Sequence, residues 1–287
     1  MYNALVEFLK SKSVVLPLSP QDLSGTYSKL DVKHVYLIVM TGRSGSTWLA
    51  SALSQVAGLG APFEYFSETR MPHNWDYGPE PEFSEVFEGI VSRNADDGCF
   101  GFKTNSQRLF WLGSLVDLVK TFSPAFTSWI DMRRLNLVKQ GISYAVARKS
   151  GVWHDFKNSD SSSILTSTQV EITDHMIWQE ILAVVLLEQS MDEFCRNNNI
   201  LPLKIFYEEI FDSKTTLLTR VCDFARPGWQ VDISGIKERT GKLDKSGYAN
   251  LEEKFTERYS GLLNEIYSNR AHISVSEFHR RIDGLIK

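Results

Sequence analysis

Residues 35–53 read Val35-Tyr36-Leu37-Ile38-Val39-Met40-Thr41-Gly42-Arg43-Ser44-Gly45-Ser46-Thr47-Trp48-Leu49-Ala50-Ser51-Ala52-Leu53. The first six are apolar and rich in β-branched side chains, as in a buried strand of a parallel sheet. Positions 41–47 are small, polar and glycine-bearing. From Trp48 the chain reads as a helix with Leu49, Ala52 and Leu53 on one face. Strand, glycine-bearing turn and helix together make a cradle for a phosphate-like anion. Gly42 and Gly45 permit a tight backbone path. The N–H groups of the helix's first turn point at the anion, and the helix dipole adds favourable potential. Arg43 supplies fixed positive charge, and Ser44, Ser46 and Thr47 supply hydroxyl donors. The bland alternative is an ordinary strand-to-helix turn with polar filler.

Two familiar phosphate loops are excluded. The nucleotide-triphosphatase loop needs four residues between its glycines and then Gly-Lys-Ser/Thr. Here two residues separate Gly42 from Gly45, and no lysine follows. The dinucleotide pattern Gly-x-Gly-x-x-Gly is also absent.

Composition narrows the class. The chain has 287 residues, 43% of them hydrophobic and 12% aromatic, enough for a substantial core. A net charge of −4 argues against a general nucleic-acid binder. The three cysteines, Cys99, Cys195 and Cys222, have no metal-ligand spacing and suit a reducing compartment. The first 18 residues make a poor signal peptide, because Glu7, Lys10 and Lys12 interrupt the apolar run. The apolar run at 181–187 is too short to cross a bilayer. The expectation is a soluble, cytoplasmic, bacterial-type enzyme without an integral membrane span, and residues 1–287 read as one domain with its core at about 34–260.

Along the chain, residues 1–33 read as a short amphipathic helix and a polar loop. Gly58-Leu59-Gly60-Ala61-Pro62 ends the first core helix, and Phe63-Glu64-Tyr65-Phe66 follows. An acidic residue there is placed to face the same crevice as the glycine-bearing loop, although a solvated loop glutamate would look the same. Residues 67–98 are turn-rich at first, with Trp75 and Tyr77, and then form a helix over about 83–93; the excursion reads either as a lid or recognition loop or as a surface insertion. The stretch Cys99-Phe100-Gly101-Phe102-Lys103-Thr104-Asn105 reads as a short strand ending in Lys103, at the carboxyl end where ligands bind in open α/β folds. One helix is expected over about 106–121, with Leu109, Leu112, Leu115, Val116 and Val119 inward. A strand over 125–132 ends in Arg133-Arg134, and a helix over 136–150 carries Gln140, Ser143 and Arg148. Arginine's bidentate fork and a serine hydroxyl suit phosphate capture, though surface arginines pairing with carboxylates are the simpler alternative. Further elements are expected as helix 170–197, strand 201–206, helix 207–225, helix 251–267 and a peripheral amphipathic helix at about 274–285.

These patterns together resemble sulfotransferases that use 3′-phosphoadenosine 5′-phosphosulfate (PAPS), and more narrowly the bacterial trehalose 2-sulfotransferase-like family. Arg43-Ser44-Gly45-Ser46-Thr47-Trp48 fits the family's 5′-phosphosulfate loop at every position. Pro62-Phe63-Glu64-Tyr65-Phe66, then Arg133-Arg134 with Gln140-Gly141-Ile142-Ser143 and Gly151-Val152-Trp153, extend the likeness over roughly residues 34–260. The resemblance implies an α/β fold: a central, mostly parallel sheet flanked by helices, like that of the P-loop nucleotide-binding proteins. It implies PAPS as co-substrate and adenosine 3′,5′-bisphosphate (PAP) as product, with no metal, and a homodimer.

The resemblance also implies roles. Residues Thr41, Gly42, Arg43, Ser44, Gly45, Ser46 and Thr47 would hold the 5′-phosphosulfate, and Trp48 would stack on adenine. Arg134 and Ser143 would bind the 3′-phosphate; their separation is one residue longer than in animal cytosolic sulfotransferases, so Arg133 stays a candidate. Lys245-Ser246-Gly247 is similar to the family's Arg-Lys-Gly loop over the 3′-phosphate, with Asp244 where its arginine stands. Animal enzymes place a catalytic histidine in a Lys-Thr-His segment. Here that segment is Lys103-Thr104-Asn105, and asparagine is no base near neutral pH. Glu64 matches the position where the trehalose-type family carries its glutamate, so Glu64 is the expected general base, with Arg43 and Lys103 as charge-stabilising partners.

The acceptor would be a hydroxyl on a carbohydrate or glycolipid, contacted by Glu64, Tyr65, Phe66, Trp75, Trp153 and His154. The same aromatic residues could line a pocket for a lipid or polyketide alcohol. Two other classes remain open: a nucleotide-dependent phosphotransferase on a related fold, and a non-catalytic protein that binds PAP or PAPS.

Overall fold

The computed structural model describes residues 4–66, 80–123, 127–153, 170–238 and 248–286. Trp75, Tyr77, His154, Lys245, Ser246 and Gly247 lie outside the described residues. In chain order the elements are α1 (Ala4–Ser11), α2 (Gly25–Lys29), β1 (His34–Met40), α3 (Ser46–Leu53), α4 (Phe83–Asn94), β2 (Cys99–Asn105), α5 (Ser106–Leu112), α6 (Leu118–Thr121), β3 (Thr127–Arg133) and α7 (Leu137–Ser150). There follow α8 (Asp174–Asn197), β4 (Leu203–Phe206), α9 (Glu209–Asp212), α10 (Lys214–Ala225), α11 (Ala249–Arg258), α12 (Ser260–Asn269) and α13 (Val275–Leu285).

The strands form one sheet in the order β2-β1-β3-β4, every pair parallel. The strand alternation divides the core. Val35, Leu37 and Val39 of β1, Phe100 and Phe102 of β2, and Trp129 of β3 face one layer with α1, α2, α4 and α5. Tyr36, Ile38 and Met40, with Ile130, Met132 and Ile205, face the other, against α3, α9 and α10. A sheet covered on both faces needs strands apolar on both faces, as β1 is. A third apolar cluster joins α7, α8, α11, α12 and α13. Helix α8 bridges two clusters: Ile177, Ile181, Val184 and Val185 lie in the third, while Met191 and Cys195 reach the first.

The sequence strand order 2-1-3-4 has a consequence for function. From β1 the chain moves outward to β2, then crosses back to β3 on the far side of β1. The connections at the carboxyl ends of β1 and β3 therefore diverge and leave a crevice there, where ligands bind in open α/β sheets.

The strand over 35–40 stands as expected and the strand from Cys99 runs two residues past Lys103 to Asn105, but several helices are shorter. The single helix expected over 106–121 is two. Gln21 pairs with the backbone of Leu115 and Asp117 (3.0 and 2.7 Å), which pulls 113–117 out of the helix. Asp117 then caps α6 by accepting from the Lys120 amide, and Val119, expected inward, is 37% exposed. The helix expected from 170 starts at Asp174, where Thr173 accepts from the Met176 amide. The helix expected over 207–225 breaks at Ser213, whose extended backbone (φ −161°) caps α10. The helix expected over 251–267 breaks at Tyr259, whose ring packs on Trp178 and Phe255 and whose hydroxyl donates to Asp174.

All three cysteines are free and buried. Burial pushes the Cys99 and Cys195 thiols up to about 12 and Cys222 to about 11. A thiol so placed is neither accessible nor ionised. A disulfide-exchange reagent at pH 8 is expected to label none of them in the folded protein and all three after denaturation; rapid labelling of the native protein would contradict this packing.

Candidate active site at the carboxyl edge of the sheet

The loop between β1 and α3 takes a backbone path that its glycines explain. Arg43 (φ +64°) and Gly45 (φ +83°) both lie in the left-handed region. At Gly45 a Cβ would stand 2.3 Å from the Tyr207 ring, and at Gly42 one would stand 2.4 Å from the Tyr144 ring. Each glycine thus admits a tyrosine against the loop. Gln140 of α7, fully buried, fixes the loop's entry by donating to Thr41 Oγ1 (3.0 Å) and to the Gly42 carbonyl (2.7 Å). Gly45 starts α3, whose first-turn amides have no carbonyl one turn back in their own helix.

Arg43 reaches across the crevice to α7, where its Nε donates to Ser143 Oγ (2.9 Å) and an Nη donates to the Trp153 carbonyl. Arg134, the first residue beyond β3, extends its guanidinium over the Tyr207 ring at 4.6 Å, with Nη1 3.4 Å from the Arg43 carbonyl. Burial holds both guanidiniums below the usual arginine range, and for Arg43 the neighbouring Arg134 adds to the shift. The Glu208 carboxylate stands 3.8 Å from Arg134 Nε. Ser44 Oγ, Gln140 Oε1 and Arg134 Nε are buried without a hydrogen-bond partner among the described residues. Two partly buried cations and two unsatisfied donors, Ser44 Oγ and Arg134 Nε, around a left-handed loop form an environment that an oxyanion would satisfy.

A second group of charges adjoins the same loop. Lys103 Nζ lies 3.2 Å from Thr47 Oγ1, 3.4 Å from Ser46 Oγ and 3.1 Å from Glu64 Oε1. The Lys103 amide donates to the Phe63 carbonyl (3.1 Å), which docks the Glu64 segment beside β2. Arg108, in the first turn of α5, donates from Nη1 to Glu64 Oε2 at 2.7 Å. Asn105 caps α5, its side-chain oxygen accepting from the Arg108 amide at 2.7 Å.

Neither Arg108 nor the scaffolding role of Gln140 was expected from sequence. Arg108 stands three residues beyond Asn105, and that N-cap spacing was the one available signal that it starts a helix beside Lys103.

The remaining expected site residues have the following surroundings. Strand alternation turns Arg133 away from Arg134 and toward α8. There it meets Asp131 (Nη2–Oδ2 2.6 Å), Asp192 (2.7 Å) and Glu188 (3.9 Å). Burial would lower its pKa, but these carboxylates raise it above the ordinary value. Tyr65 and Phe66, expected at the acceptor, are core residues. Phe66 packs on Phe83, Phe87 and Phe102, Tyr65 lies parallel to Phe100, and the Tyr65 hydroxyl donates to the Ala61 carbonyl. At 4% and 7% exposure they offer an acceptor almost no surface, because the strand-side layer needs their bulk. Trp48 is half-buried against the α3–α10 layer. Trp153 is 40% exposed and edge-on to Tyr144.

With this geometry in hand, the chain's similarities can be placed on it. The family model described as Stf0 sulphotransferase matches residues 111–259, half of the chain. The chain belongs to the Stf0 sulphotransferase family. No curated protein matches the chain. The Stf0 match covers Arg133, Arg134, Gln140, Ser143 and Trp153, and begins after Arg43, Glu64, Lys103 and Arg108. The parallel sheet flanked by helices agrees with the Stf0 sulphotransferase assignment, and among the described residues no helix is long and apolar enough to cross a membrane.

The loop geometry generates a test. Gly45→Ala is expected to lose about 1–2 kcal/mol from the left-handed backbone alone, with a further loss because Cβ displaces Tyr207. Denaturant unfolding measures it, and a variant as stable as the parent would mean the loop does not need this backbone.

Proposed function

We propose that the protein transfers a sulfuryl group from PAPS to an acceptor hydroxyl on a carbohydrate or glycolipid, with the β1–α3 loop as the donor site. The observation that carries this reading is the bond between Arg43 Nε and Ser143 Oγ, 2.9 Å across 100 residues of sequence, with Arg134 against the same loop. It joins the motif for the 5′ side of the donor to the motif for the 3′ side in one crevice. The family assignment supports sulfuryl transfer in general.

PAPS supplies a sulfuryl group already activated on a phosphate. In this reading the loop amides and the hydroxyls of Ser44, Ser46 and Thr47 hold the 5′-phosphosulfate, and Trp48 stacks on adenine. Arg134 and Ser143 hold the 3′-phosphate. Arg134 fits that role better than Arg133, whose donors are committed to three carboxylates. Arg43 and Lys103 stabilise the charge that builds on the sulfuryl oxygens and on the departing phosphate, which fixed charges do best in a site with little water. Such a transfer is loose, by analogy with phosphoryl transfer, so positioned charge matters more than covalent assistance.

Glu64 takes the proton of the acceptor hydroxyl. Two donors, Lys103 and Arg108, orient its carboxylate, and Lys103 also touches the loop hydroxyls, so the proposed base and the donor loop share one cation. Arg108 is assigned here as a positioning residue for Glu64. The exposed ring of Trp153 is the described aromatic surface available to an acceptor.

Calorimetric titration tests the donor site directly. PAP without metal is expected to bind, and magnesium–ATP is expected to bind far more weakly; the reverse order would replace this reading with a phosphotransferase. Glu64→Gln is then expected to keep PAP affinity while turnover drops by about 10²–10⁴-fold, the usual weight of a general base. Equal loss of binding and turnover would remove Glu64 from the role of base. Retained PAP binding by the parent protein with no transfer to any sugar, glycolipid or alcohol acceptor would favour a binding protein.

A further inference from the structure

The turn between β3 and α7 carries Arg134, and it is held mainly from outside itself. Glu208 accepts from the Leu135 and Asn136 amides (2.9 and 3.2 Å). Asn136 caps α7 by accepting from the Lys139 amide, and its Nδ2 donates to Glu252 of α11 (3.1 Å). The Tyr267 hydroxyl of α12 accepts from the Leu137 amide at 3.1 Å, in the first turn of α7. Arg270, just beyond α12, donates from Nη1 to the Arg134 carbonyl (2.9 Å) and lies 3.5 Å from the Leu135 carbonyl.

Arg270 brings a further positive charge to the turn that carries Arg134, and a carboxylate neutralises it. Glu188 of α8 does so, bidentate to Nε (2.6 Å) and Nη2 (2.5 Å), with a side chain 3% exposed. The surrounding charges balance: Arg133, Lys204 and Arg270 stand against Asp131, Glu188 and Asp192. Arg270 therefore adds no net charge beside Arg134, whose own carboxylate neighbour is Glu208 at 3.8 Å. Gln189 adds a further tie, donating to the carbonyls of Arg270 and Ile273 (3.0 and 3.1 Å).

We propose that Tyr267 and Arg270, in the segment after the family match ends at residue 259, are positioning residues that aim Arg134 at the 3′-phosphate of the donor. The inference rests on the reading of Arg134 given above. The two residues touch no donor themselves. They hold the Arg134 carbonyl and the start of α7, so they control where the guanidinium and Ser143 stand relative to the loop.

The test compares affinities for PAP and for adenosine 5′-phosphate, which lacks only the 3′-phosphate. The variants are Arg270→Gln, Arg270→Lys (charge kept, fork lost) and Tyr267→Phe (acceptor hydroxyl lost). The preference for PAP is expected to fall about tenfold in Arg270→Gln, the weight of one charge-assisted hydrogen bond, and by less in the other two, while affinity for adenosine 5′-phosphate stays unchanged. Arg226→Gln serves as a control. It removes buried bonds to the Gly58 carbonyl and Asp97 far from this turn, and is expected to lower the melting temperature without changing the preference. Equal loss for both nucleotides, or an unchanged preference, would overturn the proposal. Should Arg270→Gln not fold, Arg270→Lys and Tyr267→Phe read the same ratio. A parent protein that binds the two nucleotides equally would instead overturn the Arg134 reading on which the inference stands.

Discussion

The close approach of two tyrosine rings to two glycines is the constraint on which the rest of the site depends. Tyr144 presses on Gly42 and Tyr207 presses on Gly45, each where a Cβ would collide. Tyr207 in turn is the platform under the Arg134 guanidinium, and Tyr144 stands edge-on to Trp153, whose carbonyl accepts from Arg43. The glycines therefore do more than bend the loop. They let the backbone at 42–45 settle against side chains from α7 and from the end of β4, and those side chains carry the arginines. The Tyr207 ring beneath Arg134 attracts positive charge without neutralising it, which leaves the guanidinium able to bind an anion.

Arg133 and Arg134 show how strictly a strand sorts its neighbours. They are identical in type and adjacent in sequence. The last residue of β3 follows the alternation and points into the carboxylates of Asp131, Asp192 and Glu188. The next residue has left the strand and points into the crevice. A buried arginine with three carboxylates is a structural ion, because breaking its pairs would strand buried charge. An arginine with a ring, a backbone carbonyl and a carboxylate no nearer than 3.8 Å keeps its attraction for an anion.

The sheet and the loop were legible because they are local. Val35 to Met40 is an uninterrupted apolar run, and Gly42 and Gly45 follow it directly. Long-range partners were not legible. Nothing near Arg133 announces that Asp192, some sixty residues later, will pair with it. Nothing near Gly113 announces that Gln21 will pull that stretch out of its helix. The burial of Tyr65 and Phe66 was hidden for a related reason: a pair of aromatics beside a candidate base looks like a binding platform, yet both pack into the layer over β2 with Phe83, Phe87, Phe100 and Phe102. Arg108 was missed because Asn105 was weighed only as a replaced base, whereas its physical task is to start the helix that brings Arg108 to Glu64.

The arrangement of charge also bears on how the proposed chemistry would be divided. Glu64 sits between Lys103 and Arg108, while Lys103 also reaches the hydroxyls of Ser46 and Thr47. The two cations hold the carboxylate from both sides and fix where it stands. A loose transfer asks little of the base: the nucleophile's proton leaves late, after the bond to the departing phosphate has largely broken. What it asks for is positive charge fixed around the group in flight and an acceptor held in line. Cations shared between carboxylate and loop meet the first demand and tie the two sides of the crevice together. The shared lysine thus makes geometric sense in a sulfuryl-transfer site.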